Sequence, residues 1–163
     1  MNGFNLSEEE LLTAKDFFTH NNIEVLTAQA IKINKSQPNF TVVVLALEMH
    51  GLDRIKVEDL LESIFIVYYV QTELRKKTIN QISAGQIKKN VKWFEEFIKY
   101  YNEEKEFGTD NLSEVKFLRD NTVLNFAINT LRDLFDDLNK IPKEVIFGYF
   151  ALLKAIEIGA EKE

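Results

Sequence analysis

The sequence predicts an all-α protein, a single-domain bundle of about six or seven helices. Three observations support this prediction. Apolar residues recur at steps of three and four along most of the chain, which is the spacing of one face of a helix. Proline and glycine, the strongest breakers of helices, number only two and six among 163 residues. An apolar share of 45%, with 13 phenylalanines, is enough for the core of one domain over residues 1–163.

Capping signals define the first two helices. Ser7 and Glu10 form a capping box, in which each side chain accepts a hydrogen bond from the other residue's backbone N–H. We therefore expect a helix from about Ser7 to His20. A second helix is expected to reach about Lys35, followed by a polar loop at 36–39.

Residues 23–49 allow two interpretations. Ile31 and Ile33 alternate with polar residues, and the β-branched run at 40–44 is typical of a strand. A β-hairpin here would make the protein α+β. We favour two helices, because Gly51 is well placed as a helix C-cap and an isolated hairpin is only marginally stable.

A long helix is predicted near residues 57–82. Apolar residues such as Leu60, Ile64 and Tyr68 recur at helical spacing, and the segment 64–70 is apolar on nearly every face. A helix of this kind is normally central, so we expect 64–70 in the middle of the bundle. Its seven apolar residues are far fewer than the roughly 20 needed to cross a bilayer as a helix. We therefore expect no membrane segment.

The next helix begins at a second capping box, formed by Ser83 and Gln86. We expect it to span about 84–105, with a turn in the chain at 83–85. Its apolar residues recur at steps of four and three, as on a core-facing helix. They are Ile87, Val91, Phe94, Ile98 and Tyr101, with Trp93 and Phe97 beside them.

Two helices complete the predicted bundle. The segment 106–111, which contains Gly108, is expected to be a loop, and a helix with an apolar stripe follows it over 112–139. Pro142 suits the first turn of the last helix, where its missing N–H costs nothing, and that helix should run to about Gly159.

Charge is distributed unevenly along the chain. The net charge is −6, yet the window 74–92 contains six basic residues and no acidic one. Asymmetry of this kind is an argument about partners rather than about the fold. The window divides into a first basic triplet (Arg75, Lys76 and Lys77) and a second basic triplet (Lys88, Lys89 and Lys92).

The two triplets have different explanations. The first lies near the end of the predicted long helix, where cations offset the negative end of the helix dipole. The second follows a helix start, where positive charge is mildly unfavourable and asks for another partner. Backbone N–H groups at Ala84, Gly85 and Gln86 would also attract anions. We therefore expect a partner- or anion-binding site at these six residues, above all at the second triplet. The alternative is ordinary solvated lysines that pair with the chain's own carboxylates.

Sequence signals for catalysis are missing. The chain has no cysteine, no phosphate-binding glycine loop, no nucleophile elbow and no Glu-x-x-His pair of the kind that binds two metal ions in helical bundles. Its two histidines, His20 and His50, are expected at helix ends rather than in a metal site. We expect no catalytic residue, no metal and no other cofactor.

The last predicted helix carries a row of small residues at steps of three, four and four. Small side chains let another backbone approach closely. We expect tight packing inside the fold, and the alternative is a homodimer seam about a twofold axis. The four residues are Gly148, Ala151, Ala155 and Gly159.

The sequence therefore favours a non-enzymatic interaction or regulatory module that recognises another protein with an acidic surface through complementary charge. The cytoplasm is the expected compartment, because a chain without cysteine suits reducing conditions. The second interpretation is a small-molecule-binding helical domain, which could be an enzyme, with an aromatic-lined cavity among Phe65, Tyr68, Tyr69, Trp93 and Phe97. The third is a nucleic-acid-associated protein, which the acidic net charge disfavours.

Overall fold

Seven α-helices and no β-strand make up the regular structure of the residues described by the computed structural model, which are 6–104, 122–137 and 140–161. The prediction of an all-α protein is therefore confirmed. A 3₁₀ turn at Leu47–His50 and a π turn at Val70–Leu74 extend two of the helices. The helices are α1 (Glu8–His20), α2 (Ile23–Ser36), α3 (Pro38–Ala46), α4 (Arg54–Tyr69), α5 (Ala84–Glu104), α6 (Thr122–Leu134) and α7 (Lys143–Glu161).

Residues 23–49 are helical, as favoured, and the hairpin alternative is wrong. Helix α3 buries Phe40 and Val44, four residues apart, so its β-branched run packs on the core along one helical face. Gly51 ends the following 3₁₀ turn with a φ of 93°, a left-handed conformation that glycine adopts without strain. The loop predicted at 36–39 is reduced to Gln37, because Pro38 already begins α3.

The predicted long helix is present and its middle is buried, but it ends earlier than expected. Helix α4 stops at Tyr69, the π turn continues to Leu74, and no helix is present from 76 to 83. Lys76 has a φ of 57°, a left-handed conformation that does not continue a right-handed helix. The extent predicted for this helix, to residue 82, is therefore wrong.

Side-chain amides from the α2–α3 junction explain where that helix stops. The fully buried Gln37 donates through Nε2 to the Asn80 carbonyl at 3.0 Å and accepts at Oε1 from the Ile82 N–H at 2.8 Å. Asn39 donates to the Ile82 carbonyl at 2.8 Å. These bonds satisfy backbone groups that a helix would otherwise pair, so residues 79–82 are held in a non-helical path beside the core.

Helices α5 and α7 pack antiparallel. The Asn90 side chain, which is buried, donates through Nδ2 to the Ala151 carbonyl at 3.2 Å. Farther along, the rings of Phe94 and Phe150 lie with their centroids 5.7 Å apart. A buried amide of this kind must keep its partner, so Asn90 fixes the register of the two helices.

The row of small residues on α7 packs against other parts of the chain itself. A Cβ on Gly159 would lie 2.8 Å from Cγ2 of Ile79, and one on Gly148 would lie 3.5 Å from Cδ2 of Leu47. Ala151 and Ala155 are also buried. This geometry supports the internal-packing interpretation of the row over the homodimer seam.

Helix α7 matches the last predicted helix, and α6 is the described part of the helix predicted over 112–139, with its apolar stripe buried. The loop predicted at 106–111 and the start of that helix lie outside the described residues. None of the helices in the described ranges combines the length and the apolar composition that a membrane crossing requires.

Candidate functional site

The clearest candidate site is a groove between α5 and α7, which we call the α5–α7 groove. It encloses about 510 Å³, a volume typical of ligand-binding pockets. Three of its lining residues are lysines and one is a carboxylate. The lining comprises Gln86, Lys89, Asn90, Lys92, Trp93, Glu96, Lys154, Ala155 and Ile158.

Helical spacing brings the α5 contribution to one face. Gln86, Lys89, Trp93 and Glu96 follow one another at steps of three, four and three. The neighbouring Asn90 holds this face against α7 through its bond to the Ala151 carbonyl. The same residue that fixes the register of the two helices therefore also fixes the width of the groove.

The second basic triplet divides between the groove and the outer surface. Lys89 and Lys92 line the groove, whereas Lys88 lies on α5 outside its lining. All three side chains are exposed. Within the described ranges, no carboxylate oxygen lies within 4.0 Å of any of the three ammonium groups. The described geometry therefore shows solvated lysines that form no ion pair with the described carboxylates, and the binding site at these residues stays a prediction.

Lys154 of α7 adds a third cation to the groove, and no local sequence pattern singles it out. Its Nζ lies 3.2 Å from the centroid of the Trp93 ring and 5.6 Å from that of Phe94. Burial lowers the pKa of Lys154, and the negative charge of Glu157 would oppose that shift. Trp93 in turn stacks on Phe97 at 5.4 Å between centroids, so the indole has a fixed orientation.

Glu157 is the buried acid nearest to this cluster in sequence. Its pKa is raised to about 9, mainly by burial. The negative charge of Glu161 contributes to this rise, and the positive charge of Lys154 opposes it. Only 1% of the residue is exposed, and its Oε1 accepts no hydrogen bond from the described part of the chain. Glu157 is therefore protonated near neutral pH and does not cancel the positive charge of Lys154.

A second hollow, of about 370 Å³, adjoins the α5–α7 groove. The two share Gln86 and Ala155 in their linings. We call the second one the segment hollow, because most of its lining comes from the non-helical segment 78–82. Gln37 and Asn39 hold that segment from the core side, so the hollow has a fixed wall.

The first basic triplet lies elsewhere. Arg75 forms a bidentate ion pair with Glu10: its Nε donates to Oε2 at 2.7 Å, and its Nη2 donates to Oε1 at 2.8 Å. This contact, with help from Ser7, lowers the pKa of Glu10 to about 2. None of Arg75, Lys76 and Lys77 lines the groove. The helix-dipole explanation for Arg75 is replaced by this contact with α1.

The helix start at Ser83 is already satisfied in part. The Gln86 N–H donates to Ser83 Oγ at 3.1 Å, and the Ser83 N–H donates to Gln86 Oε1 at 2.7 Å. The predicted capping box is therefore confirmed. The expectation of a free N–H at Gln86 is wrong, because the serine hydroxyl occupies that donor.

The five aromatics of the predicted cavity serve in different places. Phe65 and Tyr68 are buried in the core, where Tyr68 meets Phe40 edge-on at 5.5 Å. Tyr69 stacks on Phe17 of α1 at 4.6 Å. Of the five, Trp93 is the one that lines the α5–α7 groove. The pocket next to it is bounded by lysines and amides rather than by a ring of aromatics.

Comparisons with protein-family models, with curated proteins and with solved structures found no match. Among the described residues, no three histidine, aspartate or glutamate side chains converge in a way that could hold a metal ion. The α5–α7 groove and the charges that line it remain the candidate site.

Proposed function

We propose that this protein is a non-enzymatic interaction module, which binds an acidic segment of a partner protein in and beside the α5–α7 groove. The observation that carries the proposal is the exposure of Lys88, Lys89 and Lys92 beside this groove without a carboxylate partner in the described part of the chain. Exposed charges of one sign attract a complementary surface and select against like-charged ones.

The charge balance of the groove supports an anionic occupant. The lining of the groove contains three lysines and one carboxylate, that of Glu96. Because burial raises the pKa of Glu157 to about 9, that residue adds no negative charge near neutral pH. A local positive surface persists on a chain whose net charge is −6, and such a surface speeds encounter with an acidic partner.

The nature of the lining supports binding rather than catalysis. Its polar groups are lysine ammoniums, the amides of Gln86 and Asn90, and the Glu96 carboxylate. Ammoniums and amides donate hydrogen bonds to carboxylates without any covalent step. The same proposal assigns the module to the cytoplasm, which rests on the cysteine-free sequence.

A second candidate is a small-molecule-binding domain. The volume of about 510 Å³ favours it, because pockets for small ligands have this size and combine apolar walls with a few polar groups. Its ligand would be an anion that reaches Lys89, Lys92 and Lys154. The site is then the same, and only the size of the occupant differs.

The proposal is tested with a fluorescein-labelled oligoglutamate peptide and the triple variant Lys88→Glu, Lys89→Glu, Lys92→Glu. We expect fluorescence anisotropy to show binding to the wild type, weakening as salt is added because exposed charges are screened. The triple variant should lose this binding while its circular dichroism stays helical, since acidic residues suit the first turns of a helix.

A matched control carries the same change of net charge on other exposed lysines, Lys35→Glu, Lys140→Glu and Lys143→Glu. It should keep most of the affinity. Equal loss in both triple variants would mean that only the total charge matters, and the proposal would then be wrong. Failure of the wild type to bind the peptide at low salt would also overturn it.

A further inference from the structure

The α5–α7 groove and the segment hollow adjoin, because Gln86 and Ala155 line both. The groove is lined by Lys92 and Glu96 of α5, and the hollow by residues of the segment 78–82. A length of polypeptide can occupy two adjoining depressions, whereas a compact small molecule fills one. The segment wall also presents polar side chains, those of Asn80 and Gln81, to whatever lies in it.

The floor of the α5–α7 groove is apolar. Ala155 is buried, and Trp93 and Ile158 are half-buried, so part of each of these two side chains remains accessible from the groove. Apolar surface that is half covered gains free energy when a partner covers the rest. The cations lie around this floor, with Lys89 and Lys92 on α5 and Lys154 on α7.

Building on the function proposed above, we propose that the partner segment is an acidic peptide with one large apolar side chain, which packs on Ile158 and Ala155 beside the Trp93 ring. The carboxylates on either side of that anchor bind Lys89 and Lys92. Lys154, whose ammonium already lies over the Trp93 ring, binds a third carboxylate or backbone carbonyl next to the anchor. A central apolar anchor surrounded by polar contacts is the usual arrangement of an energetically dominant interface contact.

Two observations favour a peptide over a nucleic acid. Glu96 lies in the lining, where it would repel a continuous row of phosphates, and the whole chain carries a net charge of −6. A peptide can place its few carboxylates at Lys89 and Lys92 and avoid Glu96. Nucleic acid binding is therefore one of the outcomes that the test must separate.

The chain contains a single tryptophan, Trp93, so its emission reports on the floor of the groove alone. The probes are two short peptides of aspartate and glutamate without tryptophan or tyrosine, one with a central phenylalanine and one with serine in its place. We expect the phenylalanine peptide to bind the wild type about tenfold or more tightly, because a buried phenylalanine contributes at least that factor. It should also shift the Trp93 emission, whereas the serine peptide should leave the emission nearly unchanged.

Ile158→Gln tests the anchor, and Ile55→Gln, at a residue that is 71% exposed, is the matched control. We expect Ile158→Gln to remove the preference for phenylalanine and Ile55→Gln to keep it. Equal affinity for the two peptides, with binding still lost in the Lys88, Lys89 and Lys92 triple variant, would overturn the anchor and leave the proposed function intact. Binding of neither peptide would overturn both proposals. Tighter binding of single-stranded oligothymidylate than of either peptide would overturn the choice of an acidic peptide.

Discussion

The Lys154 ammonium lies 3.2 Å from the centroid of the Trp93 ring, so a cation on α7 covers the aromatic floor supplied by α5. A cation over an aromatic face is attracted by the negative charge of the π system. The contact joins the two helices at the candidate site. A ligand that contacts the face of the Trp93 ring covered by Lys154 must therefore displace Lys154 or bind beside it.

Lys154→Gln should therefore weaken the fold slightly. We expect the free energy of unfolding to fall by about 0.5–1 kcal/mol, which is the usual contribution of a partly exposed cation–π contact. Urea denaturation followed by circular dichroism measures the loss. Lys99→Gln, at an exposed position on α5, is the control and should leave stability almost unchanged. If both variants unfold at the same urea concentration as the wild type, the contact contributes no stability.

Glu157 should make the protein less stable as the pH rises. Its pKa is about 9 in the folded chain against an ordinary value of 4.5, so the folded state holds a proton that the unfolded state releases. Between pH 4.5 and about pH 9 the unfolded state binds fewer protons than the folded state. The free energy of unfolding must therefore fall as the pH rises. Glu157→Gln, which imitates the neutral acid, should raise the free energy of unfolding by about 4 kcal/mol more at pH 8 than at pH 5, because each pH unit between the two pKa values contributes about 1.4 kcal/mol.

Denaturant unfolding at pH 5 and pH 8 checks this prediction, with Glu144→Gln on the same helix as the control. Glu144 is exposed, so its replacement should not alter the pH dependence. A Glu157→Gln variant with the pH dependence of the wild type would show that Glu157 ionises normally in the folded protein.

The Arg75–Glu10 ion pair should stabilise the fold above pH 5. The pKa of Glu10 is lowered from 4.5 to about 2, so this stability is present above the unfolded value and is lost as the pH falls towards 2. Arg75→Gln should reduce the free energy of unfolding by about 2 kcal/mol at pH 7, in the range of hydrogen bonds to charged groups. At pH 2 the same variant and the wild type should be nearly equal in stability.

Thermal unfolding at the two pH values, with Lys76→Gln beside Arg75→Gln, makes the comparison. Lys76 is exposed and lies outside the ion pair. A loss of the same size in both variants, or a loss from Arg75→Gln that persists at pH 2, would contradict the assignment of stability to this pair.

Gln37 should be essential for the wall of the segment hollow. Gln37→Leu would keep much of the side-chain volume but leave the Asn80 carbonyl and the Ile82 N–H without their partner. We expect a loss of about 3 kcal/mol, because buried backbone groups that lose a hydrogen bond carry the full desolvation cost. Hydrogen exchange should also show a faster rate at the Ile82 amide.

Gln81→Leu is the matched control, with the same substitution at an exposed position of the same segment. Its stability and its exchange at Ile82 should stay close to those of the wild type. Unchanged exchange at Ile82 in Gln37→Leu would mean that the segment keeps its path without the buried amide.

Local signals in the sequence predicted much of the fold. Ser7 with Glu10 and Ser83 with Gln86 begin α1 and α5 as expected, since a capping box depends only on residues within one turn. The end of α4 was missed for the opposite reason. The amide that holds residues 79–82 belongs to Gln37, more than forty residues earlier in the chain, and helical periodicity contains no information about it.

The candidate site was predicted in part. Lys89 and Lys92 were selected because they follow a helix start without a local charge partner, and both line the α5–α7 groove. Lys154 was missed because its contact with Trp93 depends on the pairing of α5 with α7, which Asn90 fixes. For Trp93 the sequence allows a place on the core-facing side of its helix or in the aromatic-lined cavity, and the structure places it half-buried in the lining of the groove.

An NMR titration tests whether an acidic partner binds in the α5–α7 groove. Unlabelled oligoglutamate peptide would be added to ¹⁵N-labelled wild-type protein at low salt. We predict that the largest shifts occur at the amides of Lys89, Lys92 and Lys154 and at the indole N–H of Trp93, and that they saturate together. Shifts centred on other lysines, such as Lys15 or Lys35, or spread evenly over the surface, would contradict binding in this groove.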